Sequence, residues 1–171
     1  AVYGSYSDAS ATEIASFSTY GLNTIIFDLT AENAQTVIPL LEKAKEAKLY
    51  FGVKAKAAEN TDYISEFIKA NNVDFVIISG LDEADAAYSE TAGKLCESIK
   101  TIDAATAIGI EPNDIQSAKS AISNLIGTKA DFVYIEQKSN DKAGNEAFAK
   151  AQLIWSENGS PVWLCHNLNG L

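Results

Sequence analysis

Seven short runs of β-branched and aromatic residues recur along this chain, each followed by a stretch with helical spacing. That alternation restricts the fold more than any other feature. The runs are Val2–Tyr6, Thr24–Leu29, Tyr50–Ala55, Asp74–Ser79, Ala107–Ile110, Asp131–Glu136 and Pro161–His166. Several are hydrophobic throughout (TIIFDL, FVIIS, FVYIE), as strands covered on both faces are. Such strands build parallel sheets, in which each neighbour is reached by a crossover long enough to hold a helix. The helices are expected at Ala11–Thr19, Glu32–Lys48, Thr61–Ala70, Ala84–Lys100, Asn113–Leu125 and Asn145–Glu157. In the second of these, Val37, Leu40, Leu41 and Ala44 make one apolar stripe, while Glu42, Lys43, Lys45 and Glu46 face outward. Asn60 and Asn113 stand where helix N-caps belong, and Pro112 closes the strand before Asn113.

A doubly wound sheet and a closed barrel both satisfy this order of elements. The first strand is not followed by the glycine-rich phosphate loop common in nucleotide-binding sheets, and the units repeat in register. The expected fold class is therefore α/β: a parallel (β/α) barrel-like fold of about seven strand–helix units, TIM-barrel related and incomplete. At 171 residues and 47% hydrophobic content, residues 1–171 are expected to form a single β/α barrel-like domain. An open edge beside the seventh strand would invite pairing with another chain, so self-association is one expectation.

Charge excludes some partners. Lys and Arg total 13 against 23 Asp and Glu, a net charge of -10, which repels phosphate backbones and anionic headgroups. No nucleic acid and no membrane partner is expected, and no apolar run is long enough to span a bilayer. Every basic residue is Lys, and Met is absent even at position 1, so Ala1 reads as the start of a mature, secreted chain. The Asn158-Gly159-Ser160 sequon agrees with an extracellular or cell-wall location. Cys96 falls in a helix and Cys165 in a distant strand, so both are read as buried free thiols.

In barrels and open parallel sheets, active sites gather at the C-terminal ends of the strands. Those ends hold Tyr6, Asp28, Lys54, Lys56, Asp82, Glu83, Glu111, Glu136, His166 and Asn167. Paired carboxylates suit glycoside hydrolysis, in which one protonates the leaving oxygen and the other attacks or activates water. Glu83 and Glu136 are the candidates. A single histidine among scattered acids lacks metal-ligand spacing, so no metal is expected. Without G-x-G-x-x-G, a Walker sequence or a G-x-S-x-G elbow, no cofactor and no serine triad is expected either. Tyr6 and Tyr88 could stack on sugar rings or simply lie at the surface; Trp155 and Trp163 read as core.

The run YGSYSDASATEIASFSTYGLNTIIFDLTAENAQTVIPLLEKAKEAKLYFGV resembles the opening of fungal glycoside hydrolase family 17 enzymes, cell-wall β-1,3-glucanases and glucanosyltransferases. In that family a strand ending S-V-G-N-E carries the acid/base, and Ser79–Glu83 (SGLDE) stands at the matching place. Its later P-V-W-V-T-E-T-G-W carries the nucleophile; here Pro161-Val162-Trp163-Leu164-Cys165-His166-Asn167-Leu168-Asn169 follows instead. The resemblance implies Glu83 as acid/base and puts His166 at the nucleophile position. Asp82 replaces the Asn before the acid, and Ile26 and Asp28 stand where Arg and Tyr are usual. Imidazole there would not form the glycosyl-enzyme intermediate of a retaining mechanism.

Three readings follow. One is a secreted, catalytically inactive, glycoside-hydrolase-like protein that binds β-glucan-type carbohydrate through Tyr6, Asp28, Asp82, Glu111 and Asn167, or serves as a scaffold. Another is an active β-1,3-glucan hydrolase or transferase using Glu83 with Glu136 or Glu111. The third is a self-assembling structural protein.

Overall fold

Strands form where the apolar runs lie, because each run is buried by helices on one side and by the curled sheet on the other. The computed structural model describes residues 2–3, 11–56, 62–80, 87–112, 129–137, 139–157 and 161–165. The strands are β1 (Val2–Tyr3), β2 (Thr24–Leu29), β3 (Tyr50–Lys56), β4 (Phe75–Ser79), β5 (Ala107–Ile110), β6 (Phe132–Glu136) and β7 (Val162–Cys165). The helices are α1 (Ala11–Phe17), extended by a 3-10 turn over Ser18–Tyr20, α2 (Ala34–Glu46), α3 (Asp62–Ala70), α4 (Tyr88–Ile102) and α5 (Lys142–Glu157). The helix expected over Asn113–Leu125, the caps Asn60 and Asn113, and the sequon lie outside the described residues. Helix α5 starts earlier than its apolar spacing suggests, because Asp141 Oδ1 accepts the Gly144 N–H at 2.7 Å and caps an extra turn.

All pairings are parallel, and the strands stand side by side in chain order from β1 to β7. Consecutive neighbours in one direction are the topology of a (β/α) barrel, here an incomplete TIM-barrel-like fold with β1 and β7 at the ends of the described sheet. Alternate residues serve two cores. One set, including Ile25, Phe27, Phe51, Val53, Val76, Ile78, Ile108, Ile110, Val133 and Ile135, meets the helices through Val37, Leu41, Ile64, Phe67, Leu95 and Phe148. The other set, Ile26, Phe75, Ile77, Phe132 and Tyr134, packs on the concave face.

The floor of that face is aromatic. Phe132 stacks on Trp163 with ring centroids 4.1 Å apart, and Phe75 meets Trp163 edge-on at 5.0 Å. Two glycines make room for these rings: a Cβ added to Gly52 would sit inside the Phe75 ring, and one added to Gly109 inside the Phe132 ring. Trp163, read from the sequence as core, is 40% exposed, and its strand β7 is the last of the described sheet. Cys165 on the same strand is only partly buried, whereas Cys96 is buried; both thiols are free.

The two glycine–phenylalanine pairs belong to a repeat. Gly52, Asp74 and Phe75 are separated from Gly109, Asp131 and Phe132 by the same length of chain. Asp74 Oδ2 accepts the Phe51 N–H at 2.7 Å, and Asp131 Oδ2 accepts the Ile108 N–H at 2.7 Å. The β3–β4 and β5–β6 units are thus built alike: an Asp before the second strand ties down the first, and the following Phe covers its glycine.

Candidate active site

Toward the C-terminal ends of β3, β5 and β6, the inward side chains change from apolar to charged. On β3, Gly52 is followed inward by Lys54; on β6, Phe132 is followed by Tyr134 and then Glu136; beyond β5, Gly109 is followed by Glu111. The register places Asp28 of β2 beside Lys54 and Ser79 of β4 beside Lys56. These are the C-terminal ends of the strands, where barrel side chains converge on one mouth.

Lys54 joins them. Its Nζ lies 3.0 Å from Glu111 Oε2 and 2.9 Å from Glu136 Oε2. The three side chains are 12%, 10% and 21% exposed, nearly enclosed yet reachable from solvent. Both contacts are charge-assisted hydrogen bonds, and one ammonium offsets the repulsion that would otherwise keep two carboxylates apart. Because they share one nitrogen, the two carboxylates are held close together, and the triad carries a net charge of one negative unit. Below it, the Tyr134 ring lies 5.8 Å from Nζ, a cation–π contact. The Tyr134 phenol is pushed well above its ordinary range, first by burial, then by Cys165 beside it, with Glu136 and Glu111 adding to the effect.

The backbone fixes each member. The Glu111 N–H donates to the Ile78 carbonyl at 2.9 Å, and the Gln137 N–H donates to the Cys165 carbonyl at 2.9 Å, so β5 and β6 stay in register past their last strand residues. At β2, Asn33 Nδ2 donates to the Asp28 carbonyl at 2.8 Å and Asn33 Oδ1 accepts the Thr30 N–H at 2.8 Å, locking the turn into α2.

Of the sequence candidates, Glu111, Glu136 and Asp28 are thus brought to one mouth. Glu83, Asp82, Tyr6, His166 and Asn167 lie outside the described residues, as do the side chains of Tyr88 and Trp155. The sequence places Lys54 at the mouth without a role; its two partners come from strands far along the chain, and no local motif announces them. No group of three or more metal-ligating residues occurs among the described residues, and no described helix is long and apolar enough to cross a membrane.

A second concavity, of about 510 Å³, lies at the other end of the barrel between the α3–β4 and α4–β5 turns, lined by Lys69, Asn72, Asp74, Asp103 and Ala105. Its acids already have structural work: Asp74 holds the Phe51 N–H, and Asp103 accepts from Ala105 N–H and Thr106 Oγ. Barrel chemistry belongs at the opposite, C-terminal face.

No family model matches the chain, and no curated protein sequence matches it. Solved structures do. The citrate synthase SbnG superposes with a TM-score of 0.69 at 12% identity, covering 98% of this chain and 76% of that one. An HpcH/HpaI aldolase from Desulfitobacterium hafniense DCB-2 gives 0.65 at 10% identity over 93% of this chain and 83% of its own. A hyperthermophilic endo-β-1,4-glucanase, solved with substrate, gives 0.60 at 10% identity over 90% and 69%. The glycoside hydrolase family 17 resemblance is therefore corrected: its phrases are those of strand–helix barrels in general, and neighbours that include a citrate synthase and an aldolase share the same architecture. What the chain has in common with all three is the TIM-barrel-like fold.

Proposed function

We propose that this chain is a barrel enzyme acting at the mouth of its concave face on a small, oxygen-rich substrate of sugar or hydroxycarbonyl type. Glu111 and Glu136 exchange protons with the substrate, and Lys54 is the cation that holds them. The observation that carries this reading is the Lys54 bridge: an ammonium within 3.0 Å of two carboxylates, at the end of the barrel where substrates bind. Such a triad can bind hydroxyl and carbonyl oxygens, remove a proton, and return it at a neighbouring atom. The architecture shared with an aldolase and a glucanase agrees with chemistry of this kind without selecting between carbon–carbon and carbon–oxygen cleavage. The case for lost activity rested on His166 at the nucleophile position of a family that the structural neighbours overturn, so an active site is the better reading.

The test is a mass-spectrometric time course of the purified protein against aldoses, ketoses, 2-oxo acids and aryl glycosides. Turnover of at least one class is expected, reduced about 100-fold or more by Glu136→Gln or Glu111→Gln, as befits loss of an acid–base group. Turnover that both variants retain would place the chemistry elsewhere. Absence of turnover across the panel would count against an enzyme of this class.

A further inference from the structure

We infer that Lys54 is a covalent catalyst, condensing with the carbonyl carbon of a small aldehyde or ketone to form a protonated imine. The inference rests on the reading of the mouth as the reactive site and narrows its substrate class to carbonyl compounds.

Position sets Lys54 apart. Other described lysines in ion pairs are more open: Lys43 is 43% exposed, Lys94 and Lys129 are each 73% exposed and Lys142 is 89% exposed, against 12% for Lys54. Lys100 is intermediate and is held by the Thr106 carbonyl and Asp131. Lys54 alone among these stands on the concave face, with Ile77 beside it in register and Tyr134 beneath it. Near-enclosure limits the water that would hydrolyse an imine.

An ion pair at first sight argues against a nucleophilic amine, because carboxylates favour the ammonium. The charge balance of the reaction removes that objection. One carboxylate, within a single hydrogen bond of Nζ, takes a proton and frees the amine, which adds to the carbonyl carbon to form the C–N bond. The carbonyl oxygen collects that proton. The nitrogen then releases a second proton through a carboxylate to the same oxygen, and water leaves as the C=N bond forms. The nitrogen keeps its third proton, so loss of water gives the protonated iminium directly. The sum is ammonium plus carbonyl giving iminium plus water, with no oxidant or reductant. The iminium carries the same single positive charge at the same atom, so the two carboxylates that hold the ammonium also stabilise the product. Glu111 and Glu136 also explain each other: one serves the imine nitrogen, while the other is left to remove a proton, or accept one from a hydroxyl, next to the new electron sink.

The experiment is reductive trapping of the full chain with glycolaldehyde or pyruvate and sodium borohydride, followed by peptide mass mapping. The expected result is a saturated adduct on the Lys54 peptide at about tenfold or more over any other lysine, as an activated amine should give. It should disappear in Lys54→Arg, which keeps the charge but not the amine. Circular dichroism and melting of Lys54→Arg establish that it folds; if it does not, competition of the wild-type adduct by unlabelled carbonyl substrate replaces it, and saturable competition supports the inference. Adducts spread evenly over surface lysines, or no adduct at all, overturn the inference. If trapping fails while turnover in the panel still depends on Glu111 and Glu136, the imine is wrong and the acid–base reading stands. If both fail, the site itself is wrong.

Discussion

Lys54 and Glu111 stand at the same place in two similarly built strand–helix–strand units, and the ammonium of one meets the carboxylate of the other at 3.0 Å. Gly52 precedes Lys54 as Gly109 precedes Glu111, and Phe75 covers the first glycine as Phe132 covers the second. The scaffold is repeated, and opposite charges at the equivalent positions turn the repeat into a site. Ser79 and Glu136 also stand at equivalent positions, one neutral and one charged, and Glu136 completes the triad.

Removing the cation should expose what it balances. Lys54→Met leaves two carboxylates crowded at a nearly enclosed mouth, and loss of one partner from such a group costs about 3 kcal/mol. Urea denaturation at neutral pH should show that loss as a lower midpoint with an unchanged slope. A midpoint equal to wild type would mean that the three side chains are not held together in solution.

The glycine pockets predict steric strain at two separated points. Gly52→Ala and Gly109→Ala should each destabilise by about 1–3 kcal/mol, because Phe75 and Phe132 must leave their positions on the aromatic floor. Pairing Gly52→Ala with Phe75→Leu should recover part of the loss, a non-additivity readable in a double-mutant cycle. Strict additivity would place Phe75 away from Gly52.

Cys96 on α4 supplies a pH test away from the site. Burial first, and then the charge of Asp131, push its thiol from 9.0 up to about 11. The folded state therefore prefers the neutral thiol. Its contribution to stability is complete below pH 9 and is lost as the pH rises from about 9 to about 11. Relative to wild type, Cys96→Ala should become less destabilising across that window, by on the order of 2 kcal/mol. A constant difference between the two proteins over the same range would contradict the shift. Iodoacetamide at pH 8 should leave Cys96 unmodified in the native protein.

Much of the fold is legible in the residues themselves. TIIFDL and AIGI mark β2 and β5 to their ends, and FVIIS and FVYIE mark β4 and β6, because strands buried on both faces must be apolar throughout. The stripe of Val37, Leu41 and Ala44 is buried as its spacing requires, with Leu40 at its margin. The pair DFVII and DFVYI, at equal distance behind Gly52 and Gly109, is the sequence signal of the internal repeat and of the floor of the barrel. Other expectations failed for want of spatial information. Trp163 looks like core because tryptophan in a strand usually is, but a residue's burial depends on whether its strand has a neighbour on each side, and that is a property of the whole sheet.

The site divides in the same way. That Asp28, Lys54, Glu111 and Glu136 lie at strand ends follows from the sequence alone, because a hydrophobic run ends where the chain meets polar surroundings. That Lys54 reaches both Glu111 and Glu136 does not follow, since the partners are drawn from β3, β5 and β6 across long stretches of chain. Local propensity and periodicity act over a few residues and so determined the strands, the helices and their order. Only the curl of the sheet, set by strand register and the packing of helices behind it, decided which charges would share one mouth.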